Sequence, residues 1–187
     1  YGTSNLTSET FYRQAKGDET ADFSYNYQQG QTVAKSTSVF FYGFDASGVA
    51  GLTRAVSADT EAAMVRSLSY KDALAVTDAM AFYTDNLVTR KSSLTSETYY
   101  NSNAVKGEEI ADYAYNYSVK AGADSTFKTS TLYIYAGEKF APSASTEDAM
   151  TRSETYKTKV PDITKRDRLY GTSNLTSETF YRQAKGD

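Results

Sequence analysis

Aromatic and polar side chains alternate along ADFSYNY, residues 21–27, where Phe23, Tyr25 and Tyr27 are separated by Ser24 and Asn26. A period of two predicts a strand with one packed and one solvated face. IADYAYNY, residues 110–117, repeats the pattern with Tyr113, Tyr115 and Tyr117. Lys16-Gly17-Asp18 and Lys106-Gly107-Glu108 stand just before these segments, and a Gly there supplies the positive φ of a tight reversal. LTSETFY (6–12) and ADFSYNY therefore read as a hairpin. STSVFFYGF (36–44, with Phe41 and Tyr42) and TSTLYIYAG (129–137, with Tyr133 and Tyr135) are apolar on both faces, which predicts central strands. Each half of the chain offers about five strands. Residues 58–83 also fit one long helix capped by Ser57. The preferred reading is a short helical turn over 58–63 and a strand over 64–71, with 72–84 left ambiguous, because the matching stretch of the second half carries β-branched alternation and then Pro161.

The blocks recur in order. Residues 1–18 return letter for letter as 170–187, 169 positions on. A weaker repeat lies inside that period: LTSETFY matches LTSETYY (94–100), KGDETADFSYNY matches KGEEIADYAYNY, and SADTEAAMVRSLSYK (57–71) aligns without a gap to SASTEDAMTRSETYK (143–157). The organisation read from this is the end of a preceding repeat (1–5), two β half-repeats (6–93 and 94–174) and the start of the next period (175–187). The expectation is a window cut from a longer tandem-repeat chain, with any targeting segment outside it.

Composition narrows the chemistry. Cys, His and Trp are absent, which removes disulfides, thiolate and imidazole metal ligands and histidine-based catalysis. Twenty basic against 23 acidic residues leave a net charge of −3, so bulk electrostatics suggests neither nucleic acid nor an anionic membrane as partner. No apolar run reaches the ~20 residues of a membrane span. Ser and Thr together supply 45 residues and Tyr 17, a profile of hydroxyl-covered sheets. The predicted fold class is mainly all-β: a tandem β-repeat array with at most short helical turns. Two assemblies fit, a continuous spiral, solenoid-like sheet or a chain of β-sandwich units. The junctions TDNLVTRKSS and RDRLYGTSN are short and strand-like, which favours continuity. About ten strands per period would advance on the order of 50 Å.

Tyr25 to Tyr42 (YNYQQGQTVAKSTSVFFY) and Leu169 to Tyr181 (LYGTSNLTSETFY) resemble YD or RHS-type repeats. That resemblance implies long bacterial surface or secreted chains that wind β-hairpins into spiral shells. Gln28 and Ser118 stand where the family pattern has Asp, so the broader class of giant tandem-repeat surface proteins is the nearer analogy.

Three triplets fit the N-glycosylation pattern, at Asn5, Asn116 and Asn174. Acidic residues gather at Asp18-Glu19, Asp22, Glu108-Glu109 and Asp112; solvated turns and protected strand edges account for them more simply than a divalent ion. Glu9 with Asp22 is the pair to examine for glycoside hydrolysis, but an exact repeat would duplicate such a site in every period. The aromatics Phe23, Tyr25, Tyr27, Phe41, Tyr42, Tyr113, Tyr115, Tyr117, Tyr133 and Tyr135 read as repeat-packing residues, with sugar stacking as the alternative. Lys16 or Lys106 near carboxylates leaves room for isopeptide crosslinks. The expectation is a non-catalytic structural protein without cofactors, extracellular or on a cell surface. Its partners are adjacent repeats or identical chains in a filament, with glycans on its flanks. The alternative is a multivalent adhesin, with an enzyme or toxin shell third.

Overall fold

A computed structural model of the chain describes residues 5–48, 50–74, 92–101, 105–159 and 174–182. Its strands are β1 (Ser8–Arg13), β2 (Thr20–Tyr27), β3 (Ala34–Phe44), β4 (Ala50–Thr53), β5 (Met64–Tyr70), β6 (Leu94–Tyr100), β7 (Ala111–Ser118), β8 (Thr126–Tyr135), β9 (Met150–Tyr156) and β10 (Leu175–Phe180). They form one open antiparallel sheet in the order β1-β2-β3-β5-β6-β7-β8-β9-β10, with β4 laid against the end of β3. The alternating segments are β2 and β7, and the doubly apolar ones, β3 and β8, are central as expected. β5 pairs with β6 across the boundary at 93/94 from Arg66↔Tyr99 to Tyr70↔Leu94. The halves therefore share one ladder rather than forming two separate sheets.

One face of the sheet is apolar and the other is hydroxylated. Opposite neighbours on the apolar face run Phe11, Phe23, Val39 and Leu68, and Tyr99, Tyr113 and Leu132. Thr10, Ser24, Ser38, Ser69, Ser96, Asn116 and Thr129 lie side by side on the other. The largest core cluster joins Phe23, Val39, Phe41, Leu68, Tyr70 and Leu74 to Leu94 of the second half, with Tyr117 packed against it. The aromatic surface of one half is thus partly covered by the other. A second cluster centres on Tyr113, Leu132 and Tyr156.

Irregularities recur at matching places. The register shifts by one residue at Phe11/Tyr12 opposite Phe23 and Ala21, and at Tyr99/Tyr100 opposite Tyr113 and Ala111. The extra residue is Asp22 in one case and Asp112 in the other. Both are buried, because the additional residue of a bulge does not follow the strict alternation of its strand.

One expectation is corrected, and the preferred strand over 64–71 is found as β5. Residues 58–63 form a turn, not a helical one: Asp59 accepts the N–H of Ala62 at its carbonyl and that of Glu61 at its carboxylate, the local bonding by which Asp competes with helix. β5 over Met64–Tyr70 excludes the long helix. Helix among the described residues is confined to 3-10 turns: Ala141–Ser143, with Pro142 in its first turn, and the single positions Asn5 and Asn174. The ambiguous stretch 75–84, Pro161 and most of both junctions lie outside the described residues.

Candidate functional site

The most informative place in the molecule is where one half-repeat meets the next. LTSET followed by Phe or Tyr and then Tyr occurs three times, as 6–12, 94–100 and 175–181, and forms most of β1, β6 and β10. β6 rests on β5 and β10 rests on β9 in the same register. Tyr70 faces Leu94 and Ser69 faces Ser96; Tyr156 faces Leu175 and Thr155 faces Ser177.

Side chains repeat with the backbone at these two seams. Thr95 Oγ1 donates to the Ser69 carbonyl and Thr176 Oγ1 to that of Thr155, each at 2.9 Å. Ser67 Oγ and Tyr100 OH are 3.2 Å apart, Ser153 Oγ and Tyr181 OH 3.3 Å. The Lys71 N–H donates to the Ser93 carbonyl and the Lys157 N–H to that of Asn174. An Arg on the last strand of each half meets the first strand of the following one. Arg66 pairs with Glu97 and sits 5.1 Å above the Tyr99 ring. Arg152 Nε lies 3.8 Å from Glu178 Oε1, with its guanidinium 5.8 Å from the Phe180 ring. Leu68 is replaced by Glu154 in the second half, which Arg152 engages at 3.0 Å; Arg152 also pairs with Glu138 at 2.7 Å. Hydrogen bonding and attraction from these carboxylates outweigh the burial of the guanidinium and raise its pKa further.

A loop contact completes the first seam. Glu109 accepts the Gly107 N–H with Oε2 and the Met64 N–H with Oε1, both at 2.9 Å. Lys106 Nζ donates to the Thr60 carbonyl at 2.7 Å. The corner before β2 is built alike: Glu19 Oε2 accepts the Gly17 N–H at 2.9 Å.

Position decides how the repeated heptapeptide is buried. In β6 Leu94 and Glu97 are buried. In β1 Glu9 is exposed, Phe11 is half-buried and Tyr12 is 59% exposed; β10 is exposed from Thr176 onward. Internal partners are kept nonetheless. Tyr27 OH donates to Glu9 at 3.2 Å as Tyr117 OH does to Glu97 at 2.8 Å. Phe11 stacks on Phe23 as Tyr99 does on Tyr113, both with centroids 4.5 Å apart.

Among the aromatics named from the sequence, Phe23, Phe41, Tyr42, Tyr113 and Tyr135 are buried, whereas Tyr25, Tyr27, Tyr115, Tyr117 and Tyr133 are half-buried. Tyr133 faces Ser153, on the hydroxylated side. Tyr42 OH and Tyr135 OH donate at 2.6 Å to the carbonyls of Ala21 and Ala111. Burial pushes the Tyr135 phenol up to about 12 and raises those of Tyr42, Tyr99, Tyr113, Tyr117 and Tyr133. Tyr27 rises by burial and by its bond to Glu9.

The candidate sugar acceptors occupy different settings. Asn5 is exposed ahead of β1 and Asn174 is half-buried ahead of β10. Asn116 lies in mid-sheet, its amide donating to Thr129 and Thr131 at 3.3 Å. The acidic groups serve structural partners: Asp22 binds Arg13 at 3.1 Å and the buried Arg54 at 2.6 Å, while Glu9 is held by Tyr27. Among the described residues no cluster of three acidic side chains is placed to hold a metal ion, and no helix is long and apolar enough to cross a membrane. Sequence reading singled out neither Arg66 and Arg152 nor Glu97 and Glu178. Their signal was retention of Met-x-Arg-Ser and LTSET in both halves, but only the register reveals that these runs meet.

No protein-family model matches the chain, and no curated protein or solved structure matches it.

Proposed function

We propose that the chain is a structural subunit of an extracellular or cell-surface tandem-repeat filament, fibre or stalk, without catalytic activity. The observation that carries this reading is the equivalence of the seams: the contacts that join the two halves also hold the first strand of the following period. Such an element propagates because each unit ends on the surface that receives the next. The backbone ladder continues from unit to unit, which also protects strand edges from indiscriminate pairing. The hydroxylated face, with sugars where the acceptor triplets are modified, keeps the flank solvated.

Among the described residues β4 lies off the main path and one period contributes eight laterally paired strands, or roughly 38 Å of sheet at about 4.8 Å per strand. Electron micrographs of purified material, averaged along the filament, test the reading. The expected result is a uniform axial repeat at or below that contour length, since coiling shortens it. Beads joined at variable angles would overturn it.

A further inference from the structure

We propose that separate copies of this chain join end to end, with the outer edge of β1 in one copy receiving the strand 150–156 of another. The inference rests on the filament reading above and names the surface through which units meet. Among the described residues nothing pairs with the outer edge of β1. The occupant is identified by the chain itself: residues 6–11 and 175–180 are the same hexapeptide, LTSETF, and the second of them lies on β9.

Transferring the β9–β10 register to β1 places Tyr156 of the incoming copy opposite Leu6, Thr155 opposite Ser8, Glu154 opposite Glu9, Ser153 opposite Thr10 and Arg152 opposite Phe11. The contacts that both internal seams share then find their counterparts. Arg152 meets the Glu9 carboxylate and the Phe11 ring, Ser153 meets the exposed Tyr12 hydroxyl, and Thr7 reaches the Thr155 carbonyl. The loop contact transfers too. Glu19 holds its Gly17 N–H as Glu109 holds that of Gly107, so its second oxygen serves the Met150 N–H as Glu109 serves Met64. Lys16 then reaches the Thr146 carbonyl as Lys106 reaches that of Thr60.

Joining conserves strand pairing. Before it, β9 pairs with β10 in one copy and β1 pairs with β2 in the next; afterwards one LTSETF strand makes both pairings and its duplicate is released. The released strand regains backbone entropy, which opposes the translational cost of association. Assembly is therefore governed by concentration rather than by loss of any contact.

The chain has no cysteine, which permits a direct trap. Thr10→Cys with Ser153→Cys puts two thiols on directly opposed positions of the joined strands, within disulfide reach, while within one copy β1 and β9 lie at separate places in the sheet. Mild oxidation is expected to give a concentration-dependent ladder of linked oligomers, and either single variant no species beyond a dimer. Thr10→Cys with Thr155→Cys is two residues out of register and is expected to give little; equal ladders from both pairs overturn the assignment. Sedimentation of the unmodified chain needs no variant: a concentration-dependent oligomer series is expected, and a monomer at every concentration overturns the proposal. A two-period polypeptide separates this inference from the one beneath it. Uniform rods from that polypeptide, with a single-period chain that stays monomeric, sink the joining alone; beads of variable angle sink the filament reading.

Discussion

Replacing Arg66 by Met tests the seam chemistry most directly. The Arg66 and Glu97 side chains are 11% and 9% exposed, so removing the guanidinium strands a nearly dry carboxylate. Breaking a buried pair in this way costs about 3–5 kcal/mol. The Tyr117 hydroxyl still donates to Glu97 at 2.8 Å, which places the loss near the lower bound. Losing the guanidinium above Tyr99 adds about 0.5–1 kcal/mol. The expected destabilisation is about 3–4 kcal/mol, or roughly 6–16 °C in Tm for a chain of this size. Urea unfolding followed by circular dichroism and tyrosine fluorescence measures it. Arg66→Met with Glu97→Leu removes both charges and fills the space with apolar atoms, so the double variant recovers most of the loss. A single variant within 1 kcal/mol of the parent, or a double variant as unstable as the sum of its parts, would refute a seam held by this ion pair.

Alkaline titration should unfold the sheet. Buried Tyr42, Tyr113 and Tyr135 have folded pKa values above the unfolded value of about 10, so their contribution is intact below pH 10 and is lost as pH rises through the folded values; tyrosinate absorbance should lag that of free tyrosine and rise together with loss of the sheet signal, and ordinary titration of an intact sheet would contradict this. Gly107→Ala, at φ +88° with open space around it, should cost about 1–2 kcal/mol through the backbone alone, whereas Gly51→Ala, with equal space and no positive φ, should change stability by less than about 0.5 kcal/mol; equal losses in urea unfolding would remove the turn argument. Tyr99→Ala should destabilise the isolated chain more than Phe11→Ala by roughly 1 kcal/mol, because only Tyr99 also carries a guanidinium on its ring; equal urea midpoints would contradict the difference. Expressed in a glycosylating host, the chain should carry sugar at exposed Asn5 but not at Asn116, whose amide is tied to Thr129 and Thr131; peptide mapping that finds a glycan on Asn116 would contradict its place in mid-sheet.

Period-two alternation made β2 and β7 legible because their aromatic and polar side chains lie on opposite faces of the sheet, and the Lys-Gly corners made the hairpins legible because a positive φ leaves few residue choices. The central strands β3 and β8 were readable from the want of alternation. What the sequence concealed depends on register. Asp22 and Asp112 look like solvated alternates in a linear reading, yet they are bulge residues buried behind their strands, and no local pattern announces a one-residue shift. Residues 58–63 look helical by composition, but Asp59 captures two N–H groups and turns the chain. β4 went unseparated from β3 because both belong to one long apolar run broken only at Asp45 and Ser47. The Arg–Glu seams were invisible for the same reason as the bulges: their partners are 31 and 26 positions apart in the chain and meet only after the strands align.

The lobe formed by the end of β3, β4 and the following turn sits beside the main path and exposes Phe44, Leu52 and Val56; no described strand of the second half corresponds to β4. Two halves that share a seam therefore differ in silhouette. In a long array this protrusion would act as a ruler mark, appearing once for every two units, and any side-to-side bundling through its apolar tip would lock neighbouring fibres at the spacing of the whole 169-residue period instead of its half.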